Sequence, residues 1–539
     1  MDDSFRITDY LICSILAFTG DRADQAWIVG GFVRDALLGR RSHDLDLIVP
    51  GHGIELAAAL SRAFHGDFFV LDRERDVARA ILTRPDGETV EVDVARLRVP
   101  DLAGDLALRD FTINAIASPV PGRALLPGAE VGLIDPFDGR ADLAQGLIRA
   151  VGDAAFRDDP LRTLRAVRQA VELGFHLDDS TCDLILRDGH LLAGVAAERI
   201  RDELLRVVAA PGAWQHLRLL AQLDLLRPTL PELQALIGVT QSAPHYLDAF
   251  DHTRSVLAHA EGILALLWPD GPYGRPARAA PVGGPGGDDV APGPDCARPA
   301  GPDPIQSTPD GQWAVLAGML APYADDLRGH LLEPLAAGRT RRDLFLWAAL
   351  AHDWGKATTR SVGADWRVHF YDHDHQGASM VENRLRLLAF SAAEAGYAGR
   401  MVDLHMRPGH LTRHYPPSQR ALYRFYRDAG AIGPDIALLA IADKMATRGP
   451  QVDYEAEFLP NLMDVAAQVF SAYFREHETR VDPALLLDGR QVMAELGLAP
   501  GPRVGKLIEG LREAQAVGEV TTIDEACAWL HHHHESESG

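Results

Sequence analysis

The chain is poor in cysteine. Its 539 residues include four, which lie far apart at Cys13, Cys182, Cys296 and Cys527. This spacing excludes a CxxC metal clip and a disulfide scaffold, and it fits a reducing compartment. The sequence also lacks any run of about 18 apolar residues, and its acidic start, MDDSFRITD, is unlike a signal peptide. We therefore expect a cytoplasmic protein without membrane contact.

Positive charge is scarce as well. The 53 Lys and Arg residues face 76 Asp and Glu residues, which gives a formal net charge of −23. Such a chain cannot attract nucleic acid from a distance through its overall field. If it binds RNA, the contacts have to come from local groups of arginine, and binding should be weak and sensitive to salt.

The length of the chain bounds its organisation. At about 150 residues per domain, the sequence predicts three or four domains. Residues 1 to about 145 alternate strand and helix patterns, whereas the pattern from about 146 onward is helical almost throughout, so we expect an α+β fold. Residues 270–312 are rich in Pro, Gly, Ala and Asp. This composition predicts a low-complexity insertion that builds no core.

The first candidate site lies between Trp27 and Val49, in WIVGGFVRDALLGRRSHDLDLIV. A short apolar strand ends at Gly30-Gly31, and helical apolar spacing follows, with Arg34 and Asp35 in the first turn of that helix. The turn leaves N–H groups unpaired at the helix start, where an anion binds well. On its own, this pattern is more typical of a plain tight turn than of a phosphate site.

A pair of carboxylates follows the turn. Asp44 and Asp46 alternate with apolar residues in a strand, so both side chains lie on one face. Two hard oxygen ligands side by side suit Mg²⁺, which usually takes one or two carboxylates together with substrate phosphates. A later strand from Val90 to Val94 supplies a third carboxylate, for which Asp93 is the candidate and Glu91 the alternative.

Histidines and aspartates form a second candidate site. His352-Asp353 follows an apolar helix, and an adjacent His-Asp pair suggests a metal bound through nitrogen and oxygen ligands. Other members lie on separate predicted helices: His252, His373, His405 and Asp443. His375 and His410 lie close to two of these and compete for the same assignments. His531–His534 is either a tag remnant or native sequence, and we exclude it from metal predictions.

Six motifs, in order along the chain, resemble the class II tRNA nucleotidyltransferases (CCA-adding enzymes) and bacterial poly(A) polymerases of the polymerase-β superfamily. They are GGFVRD at Gly30–Asp35, DLD at Asp44–Asp46, RDFTINAIA at Arg109–Ala117, DPFDGRADLAQGLIR at Asp135–Arg149, DDPLRTLRAVR at Asp158–Arg168 and ERIRDELLR at Glu198–Arg206. Two positions depart from the family pattern: Leu108 replaces an arginine, and Gly139-Arg140 replaces two glycines. The resemblance implies a polymerase-β-like nucleotidyltransferase head, which is a mixed sheet with helices, followed by a mostly α-helical body.

The resemblance also implies roles for individual residues. Arg109 would lie near the phosphates of the incoming nucleotide, and Asp110, Thr112 and Asn114 near its sugar. The spacing of Arg162, Arg165 and Arg168, three residues apart, predicts a basic stripe, which for Arg165 and Arg168 is equally typical of a solvated helix face. Asp159 and Arg162 would select the base. A carboxylate accepts from the exocyclic amine of cytosine or adenine while a guanidinium donates to the neighbouring ring nitrogen. Uracil and guanine present a carbonyl instead of that amine, so the site should reject them.

The histidine and aspartate set resembles the HD phosphohydrolase superfamily. By that match, His252, His352, Asp353 and Asp443 would hold one divalent metal of unknown identity, and His373 and His405 would allow a second. The tail from Leu486 to Thr522 again resembles the nucleotidyltransferases. Its helix–PGPxVG–helix pattern either presents Arg503 and Lys506 to RNA or forms a plain helical hairpin. Arg199 and Arg206 are the other RNA-binding candidates.

Together these features predict five segments. They are a nucleotidyltransferase head at 1–145, a helical neck for nucleotide selection and RNA binding at 146–240, an HD domain containing the insertion at 241–450, a helical tRNA-binding tail at 451–530, and a His-rich end at 531–539. The expected activity is template-independent transfer of CMP and AMP from CTP and ATP to the 3′ end of tRNA, with two Mg²⁺ ions held by Asp44, Asp46 and Asp93. A poly(A) polymerase, or an enzyme adding only CC or only A, is the alternative within the class. An HD phosphohydrolase with an RNA-binding head is the alternative from another class.

Overall fold

A computed structural model describes residues 4–121, 126–271, 310–336, 338–447 and 458–536 of the chain. These residues form two compact units. The first unit comprises the residues up to Val195 together with Gln222–Leu225, and the second comprises Ala196–Ala221 and the described residues from Leu226 onward.

The first unit alternates strands and helices. Its strands are β1 (Ser4–Ile7), β2 (Trp27–Val29), β3 (Asp44–Val49), β4 (Asp67–Asp72), β5 (Val77–Thr83), β6 (Thr89–Arg96), β7 (Ala117–Pro119), β8 (Ala129–Gly132), β9 (Leu147–Ile148) and β10 (His176–Leu177). Its helices are α1 (Tyr10–Gly20), α2 (Gly31–Leu37), α3 (Gly53–Phe64), α4 (Leu102–Ala107), α5 (Gly139–Gln145), α6 (Ala155–Asp158), α7 (Arg162–Leu173) and α8 (Asp179–Asp188).

A six-stranded mixed sheet organises this unit, in the order β4-β5-β6-β3-β2-β7. Strands β3 and β6 are parallel, and the other neighbours are antiparallel. The alternation of side chains divides β3 into two faces. Leu45, Leu47 and Val49 enter a core with residues of α1 and α3, and Ile48 joins a smaller cluster on the opposite face. The predicted mixed sheet with helices is thereby confirmed.

The second unit is largely helical, as predicted. Its helices are α9 (Ala197–Ala209), α10 (Ala213–Gln222), α11 (Leu226–Thr229), α12 (Pro231–Gln234), α13 (Ala249–Leu267), α14 (Asp310–Leu320), α15 (Ala324–Leu331), α16 (Arg341–Ala351), α17 (Lys356–Thr359), α18 (His373–Leu387), α19 (Ala392–Leu404), α20 (Arg407–Leu411), α21 (Gln419–Ala429), α22 (Gly433–Thr447), α23 (Phe458–Arg475), α24 (Gly489–Leu496), α25 (Pro502–Ala516) and α26 (Ile523–Ser536). Two short hairpins interrupt them: β11 (Pro334–Ala336) with β12 (Arg339–Thr340), and β13 (Arg360–Val362) with β14 (Val368–Phe370).

The division into two units falls within the segment predicted as the neck, so the boundaries of the five predicted segments stay predictions. Most of the predicted insertion at 270–312 lies outside the described residues. The His-rich end is not a separate segment where it is described, because α26 runs without a break from Ile523 to Ser536. Among the described residues, no helix has the length and apolar character that crossing a membrane requires.

Candidate functional site

The carboxylates of the first candidate site lie on one face of two parallel strands. In the register of β3 and β6, Asp44 pairs with Glu91 and Asp46 pairs with Asp93. Both the Asp93 candidate and its Glu91 alternative therefore flank the Asp44–Asp46 pair. Asp46 and Asp93 line a cleft of about 320 Å³, which Glu91 does not line. The cleft geometry favours Asp93 as the third carboxylate.

Asp46 has a perturbed pKa. Burial raises its pKa to about 6, and the neighbouring Asp93 and Asp44 add to that effect, while Arg109 opposes it. A nearby positive charge stabilises the ionised form of a carboxylate whose pKa is raised in this way. The donor set, three carboxylates on one face, fits a divalent cation that prefers oxygen ligands.

Gly30 is required by the geometry of this site. It has φ +74°, and a Cβ there would lie 2.7 Å from Oδ2 of Asp46 and 2.9 Å from Nη1 of Arg109. The absence of a side chain thus lets β2 pass close to the carboxylate and the guanidinium at once. Gly31 is the first residue of α2, in agreement with the predicted strand–turn–helix.

A network of polar side chains joins α2 to α7. Arg34 donates from Nη1 to Asn114 Oδ1 at 2.9 Å and from Nε to Asp35 Oδ1 at 2.9 Å. Asn114 donates to Asp110 Oδ1 at 3.0 Å, and Arg165 donates to Asp110 Oδ2 at 3.2 Å. Burial alone would raise the pKa of Asp110, yet these donors outweigh it and hold the pKa below its ordinary value. The structure therefore brings together five of the residues predicted to bind nucleotide.

Thr112, which the resemblance would place near the sugar, is buried, and its hydroxyl donates to Asp142 Oδ2 at 2.7 Å. This contact ties the turn at Thr112–Asn114 to helix α5. Thr112 is thus engaged in supporting the segment that carries Asp110 and Asn114.

The arginines of α7 differ in what they contact. Arg162 donates to the carbonyl oxygens of Leu108 at 2.8 Å, Ala155 at 3.1 Å and Arg109 at 3.3 Å. Arg162 and Arg165 line the cleft. Arg168 is absent from its lining and pairs with Glu172 at 2.7 Å on the same helix. Asp159 precedes α7, and its Oδ1 accepts from the Leu161 N–H at 3.3 Å.

Arg79 is a member of the site that sequence reasoning missed. It lies on β5 opposite Asp93 and donates to both oxygens of that carboxylate, from Nε at 2.7 Å and from Nη2 at 2.8 Å. It also pairs with Glu91. The signal in the sequence was a charged residue inside the apolar strand VARAILT, next to a strand that carries two acids.

The predicted histidine and aspartate set converges in the second unit. His252, His352 and Asp443 form one group of metal-ligand type, and Asp353, His373 and His405 form another. Asp353 lies between them, because its Oδ2 is 3.1 Å from His352 Nε2 and its Oδ1 is 3.6 Å from His373 Nε2. His252 Nε2 lies 2.9 Å from Asp443 Oδ1.

The orientation of these imidazoles fits metal ligation. The Nδ1 atoms of His352, His373 and His405 lie within 2.9 Å of backbone carbonyl oxygens, which fixes the rings. Their Nε2 atoms are buried, and those of His373 and His405 have no hydrogen-bond partner among the described residues. Burial, with His352 and His373 nearby, lowers the pKa of His405 to about 4, so this ring is neutral and able to bind a cation.

The aspartates of the cluster are held as carboxylates. Burial would raise the pKa of Asp353, but His352, Lys356 and His252 outweigh it and keep the pKa well below its ordinary value. The Nζ atom of Lys356 lies 2.7 Å from Asp353 Oδ2. Asp353, His373, His405 and Asp443 open into a pocket of about 480 Å³, which Lys356, Lys444 and Arg413 also line. Such a cationic pocket, beside residues that could hold a metal, suits a phosphate ester.

The structure separates the competing histidines. His375 is largely exposed and pairs with Asp403, and it belongs to a separate, more exposed group with Asp372 and Asp374. His410 lines the pocket without belonging to either group. The cluster thus contains His373 and His405, the two residues that were assigned to it from the sequence.

The predicted RNA-binding residues all lie in the second unit. Arg199, Arg206 and Lys506 are exposed. Arg503 is partly buried and donates to the carbonyl oxygen of His534 at 3.0 Å. The helix–PGPxVG–helix segment is present as α24 and α25, whose packing with α26 forms a small core of its own.

Three family models match the chain. The Poly A polymerase head domain covers residues 26–149, the probable RNA and SrmB-binding site of polymerase A covers 174–237, and the HD domain covers 314–448. The fold and the two sites therefore define a nucleotidyltransferase head with an HD-type body.

Similar proteins identify the family more closely. The A-adding tRNA nucleotidyltransferase of Deinococcus radiodurans is 32% identical over 512 residues, which cover 94% of each chain. The CC-adding enzyme of Geobacter sulfurreducens is 32% identical over 505 residues, or 94% of this chain and 91% of that one. The chain belongs to the tRNA nucleotidyltransferase family and is a nucleotidyltransferase.

Solved structures show the same fold. A CCA-adding enzyme in complex with CTP has a TM-score of 0.58 at 17% identity, covering 99% of this chain and 100% of that one. The Thermotoga maritima CCA-adding enzyme in complex with tRNA has a TM-score of 0.54 at 17% identity, with the same coverage.

Proposed function

We propose that this protein transfers CMP and AMP from CTP and ATP to the 3′ end of tRNA in the cytoplasm. The observation that carries the proposal is the cleft in which Asp46 and Asp93 face Arg109, Arg162 and Arg165. Paired carboxylates suit metal-assisted transfer, and arginines suit a triphosphate. The names of the relatives, which describe addition of A or of CC to tRNA, support the same reaction.

Asp44 and Asp46, with Asp93, would hold Mg²⁺ in this cleft. Bound there, the metal would supply activation of the RNA 3′-hydroxyl and neutralisation of the triphosphate. Gly30 and Gly31 keep the start of α2 open for phosphate, and Arg109 lies beside it. Asp110 and Asn114, held by Arg165 and Arg34, orient the sugar. No side-chain nucleophile is needed, because positioning and charge neutralisation account for most of the catalysis.

Asp159 and Arg162 are proposed to select the base. Arg162 anchors to backbone carbonyls through Nη1 and Nη2, while its buried Nε has no hydrogen-bond partner among the described residues. Such an anchored guanidinium presents its remaining N–H groups in a fixed direction, which favours a ring-nitrogen acceptor. Asp159 would accept from the exocyclic amine that cytosine and adenine share.

One experiment tests the reaction and its extent. The purified chain is incubated with Mg²⁺, each labelled nucleoside triphosphate in turn, and tRNA ending before the first C, before the second C or before the A. Ordered incorporation of two CMP and one AMP supports CCA addition. The names of the two full-length relatives favour a second candidate, an enzyme restricted to CC or to A, which would extend only the matching substrates. Long A tails would indicate a poly(A) polymerase, and no incorporation would remove the proposal.

A second activity is proposed for the HD cluster, which is hydrolysis of a phosphate ester with a divalent metal. The supporting observation is the set of buried, unpartnered Nε2 atoms beside the 480 Å³ pocket. Asp44→Ala should abolish nucleotide transfer and leave this hydrolysis unchanged, whereas His352→Ala should do the reverse. Loss of both activities in either variant would contradict the division into two sites. Hydrolysis without any nucleotide transfer by the wild-type chain would favour an HD phosphohydrolase with an RNA-binding head.

A further inference from the structure

Arg79 occupies a position in the transferase site that the reaction described above does not use. In the register of the sheet, Asp46 of β3, Asp93 of β6 and Arg79 of β5 form one row across three neighbouring strands. A carboxylate that the reaction would use is therefore flanked by a second carboxylate on one side and by a guanidinium on the other.

The contact between Arg79 and Asp93 is bidentate. Both carboxylate oxygens accept a hydrogen bond, at 2.7 Å from Nε and 2.8 Å from Nη2. A bidentate pair of this kind is among the stronger ion pairs in proteins. Both carboxylate oxygens of Asp93 are therefore engaged by Arg79. On the other side, Arg109 is the cation that acts on Asp46, while the Asp93 charge contributes to its raised pKa.

Glu91 provides Arg79 with a second partner. It lies two residues before Asp93 on the same face of β6, and its carboxylate pairs with the Nη1 side of the guanidinium. Arg79 can therefore release an oxygen of Asp93 and still remain bound to an acid. This arrangement also gives Asp93 and Glu91 different roles, although the sequence presents them as equivalent.

We propose that Arg79 is a positioning residue that competes with the divalent metal for Asp93. Asp93 joins Asp46 as a ligand only when Arg79 gives up a hydrogen bond to it, and Glu91 retains Arg79 nearby. The inference rests on the proposed use of a metal by the transferase site. The pair is also accessible, because the side chains of Arg79 and Asp93 are 33% and 27% exposed and Asp93 lines the cleft, so that a metal ion there can reach it.

The test measures Mn²⁺ binding to the full-length chain without nucleotide, by electron paramagnetic resonance of the free ion. The part of the binding that is lost in Asp46→Asn defines the transferase site. Arg79→Gln should tighten this binding by roughly tenfold, since a competing cation is removed. Arg79→Lys keeps the charge but loses the bidentate geometry, so its Mn²⁺ affinity should lie between those of the wild type and Arg79→Gln.

A double-mutant cycle separates competition from a general field effect. In an Asp93→Asn background, Arg79→Gln should change Mn²⁺ affinity by less than about twofold, because the contested ligand is gone. Arg75→Gln is the matched control, since Arg75 lines the same cleft but pairs with Asp72 instead. The Mn²⁺ affinity of Arg75→Gln should stay near that of the wild type.

Three results would overturn the proposal. Unchanged or weaker binding in Arg79→Gln would show that Arg79 does not compete, and an equal gain in the Asp93→Asn background would show a field effect only. If Asp46→Asn loses no Mn²⁺ at all, the metal assignment of the transferase site fails together with the proposal. Far-ultraviolet circular dichroism of each variant checks that the fold is retained.

Discussion

Asp46 shows how a single residue can lower stability in favour of chemistry. Its pKa in the folded chain is about 6, above the ordinary aspartate value of 3.8. The folded chain therefore binds a proton more readily than the unfolded chain, so stability falls as the pH rises through this window. At neutral pH the ionised form is the one that a metal requires, and it is also the costly one.

We expect Asp46→Asn to stabilise the metal-free protein. Removing this partly buried charge should raise the free energy of unfolding by roughly 1–3 kcal/mol at about pH 8, at about 1.4 kcal/mol per pKa unit. The gain should shrink toward zero near pH ~4, where the wild-type carboxyl is protonated. Urea unfolding at each pH, with a chelator present, measures the gain and its decrease.

Asp44→Asn is the control, because Asp44 is exposed on the same strand. It should change stability by less than about 0.5 kcal/mol. A loss of stability in Asp46→Asn at high pH would contradict the argument.

Gly30 gives a second prediction at the level of the residue. Gly30→Ala places a methyl group within 3 Å of Asp46 and Arg109, and a displacement of about 1 Å in an active site can lower a rate by about 100-fold. We expect a loss of that order in the initial rate of nucleotide incorporation. Gly39→Ala is the control, because Gly39 also has a positive φ of +67° but nothing within 4 Å of its Cβ position. Equal losses in both variants would mean that backbone strain, rather than crowding of Asp46, is responsible.

Individual residues also mark the limit of what the sequence predicts. The DLD spacing gives a shared face for Asp44 and Asp46, because side chains in a strand alternate. The spacing cannot give the partner of Asp93, since that depends on which strand lies beside β6 and in which register. Arg79 was missed for that reason, although it lies 14 positions before Asp93 in the chain.

At the level of secondary structure, the HD cluster depends on five helices that are distant in sequence. His252 lies on α13, His373 on α18 and Asp443 on α22, while His352 and His405 follow the last residues of α16 and α19. Helical spacing predicted each helix from local pattern. It could not choose between His373 and His375, because only the packing of α18 shows which ring points inward.

These helices should be stabilised by the metal they enclose. A divalent cation that binds only the folded state raises the unfolding temperature in proportion to the logarithm of its concentration. We expect Mn²⁺ to raise the transition temperature of the wild type and of His375→Ala, and His405→Ala to show a smaller rise and less metal by elemental analysis. Equal metal content in His405→Ala and His375→Ala would place the site elsewhere.

At the level of the whole molecule, the net charge of −23 means that RNA binding has to depend on local groups of cationic side chains. Exposed Arg199, Arg206 and Lys506 are the cationic residues predicted for it. With about three phosphate contacts, one for each of these side chains, tRNA affinity should fall roughly 20-fold between about 50 and 200 mM salt. Fluorescence anisotropy with labelled tRNA measures the slope, and Arg206→Ala should reduce it by about one contact. An affinity nearly independent of salt would exclude binding through these side chains.

The parallel register of β3 and β6 has a consequence for how such an enzyme can diversify. Backbone pairing of β3 and β6 places Asp46 opposite Asp93, so substitutions on other elements leave that pairing in place. The proposed base selectors, Asp159 and Arg162, lie at the start of another element, α7, and are held there by a few contacts. We therefore expect substitutions in and around α7 to alter nucleotide preference and leave the transfer chemistry intact, in natural variation or in directed evolution.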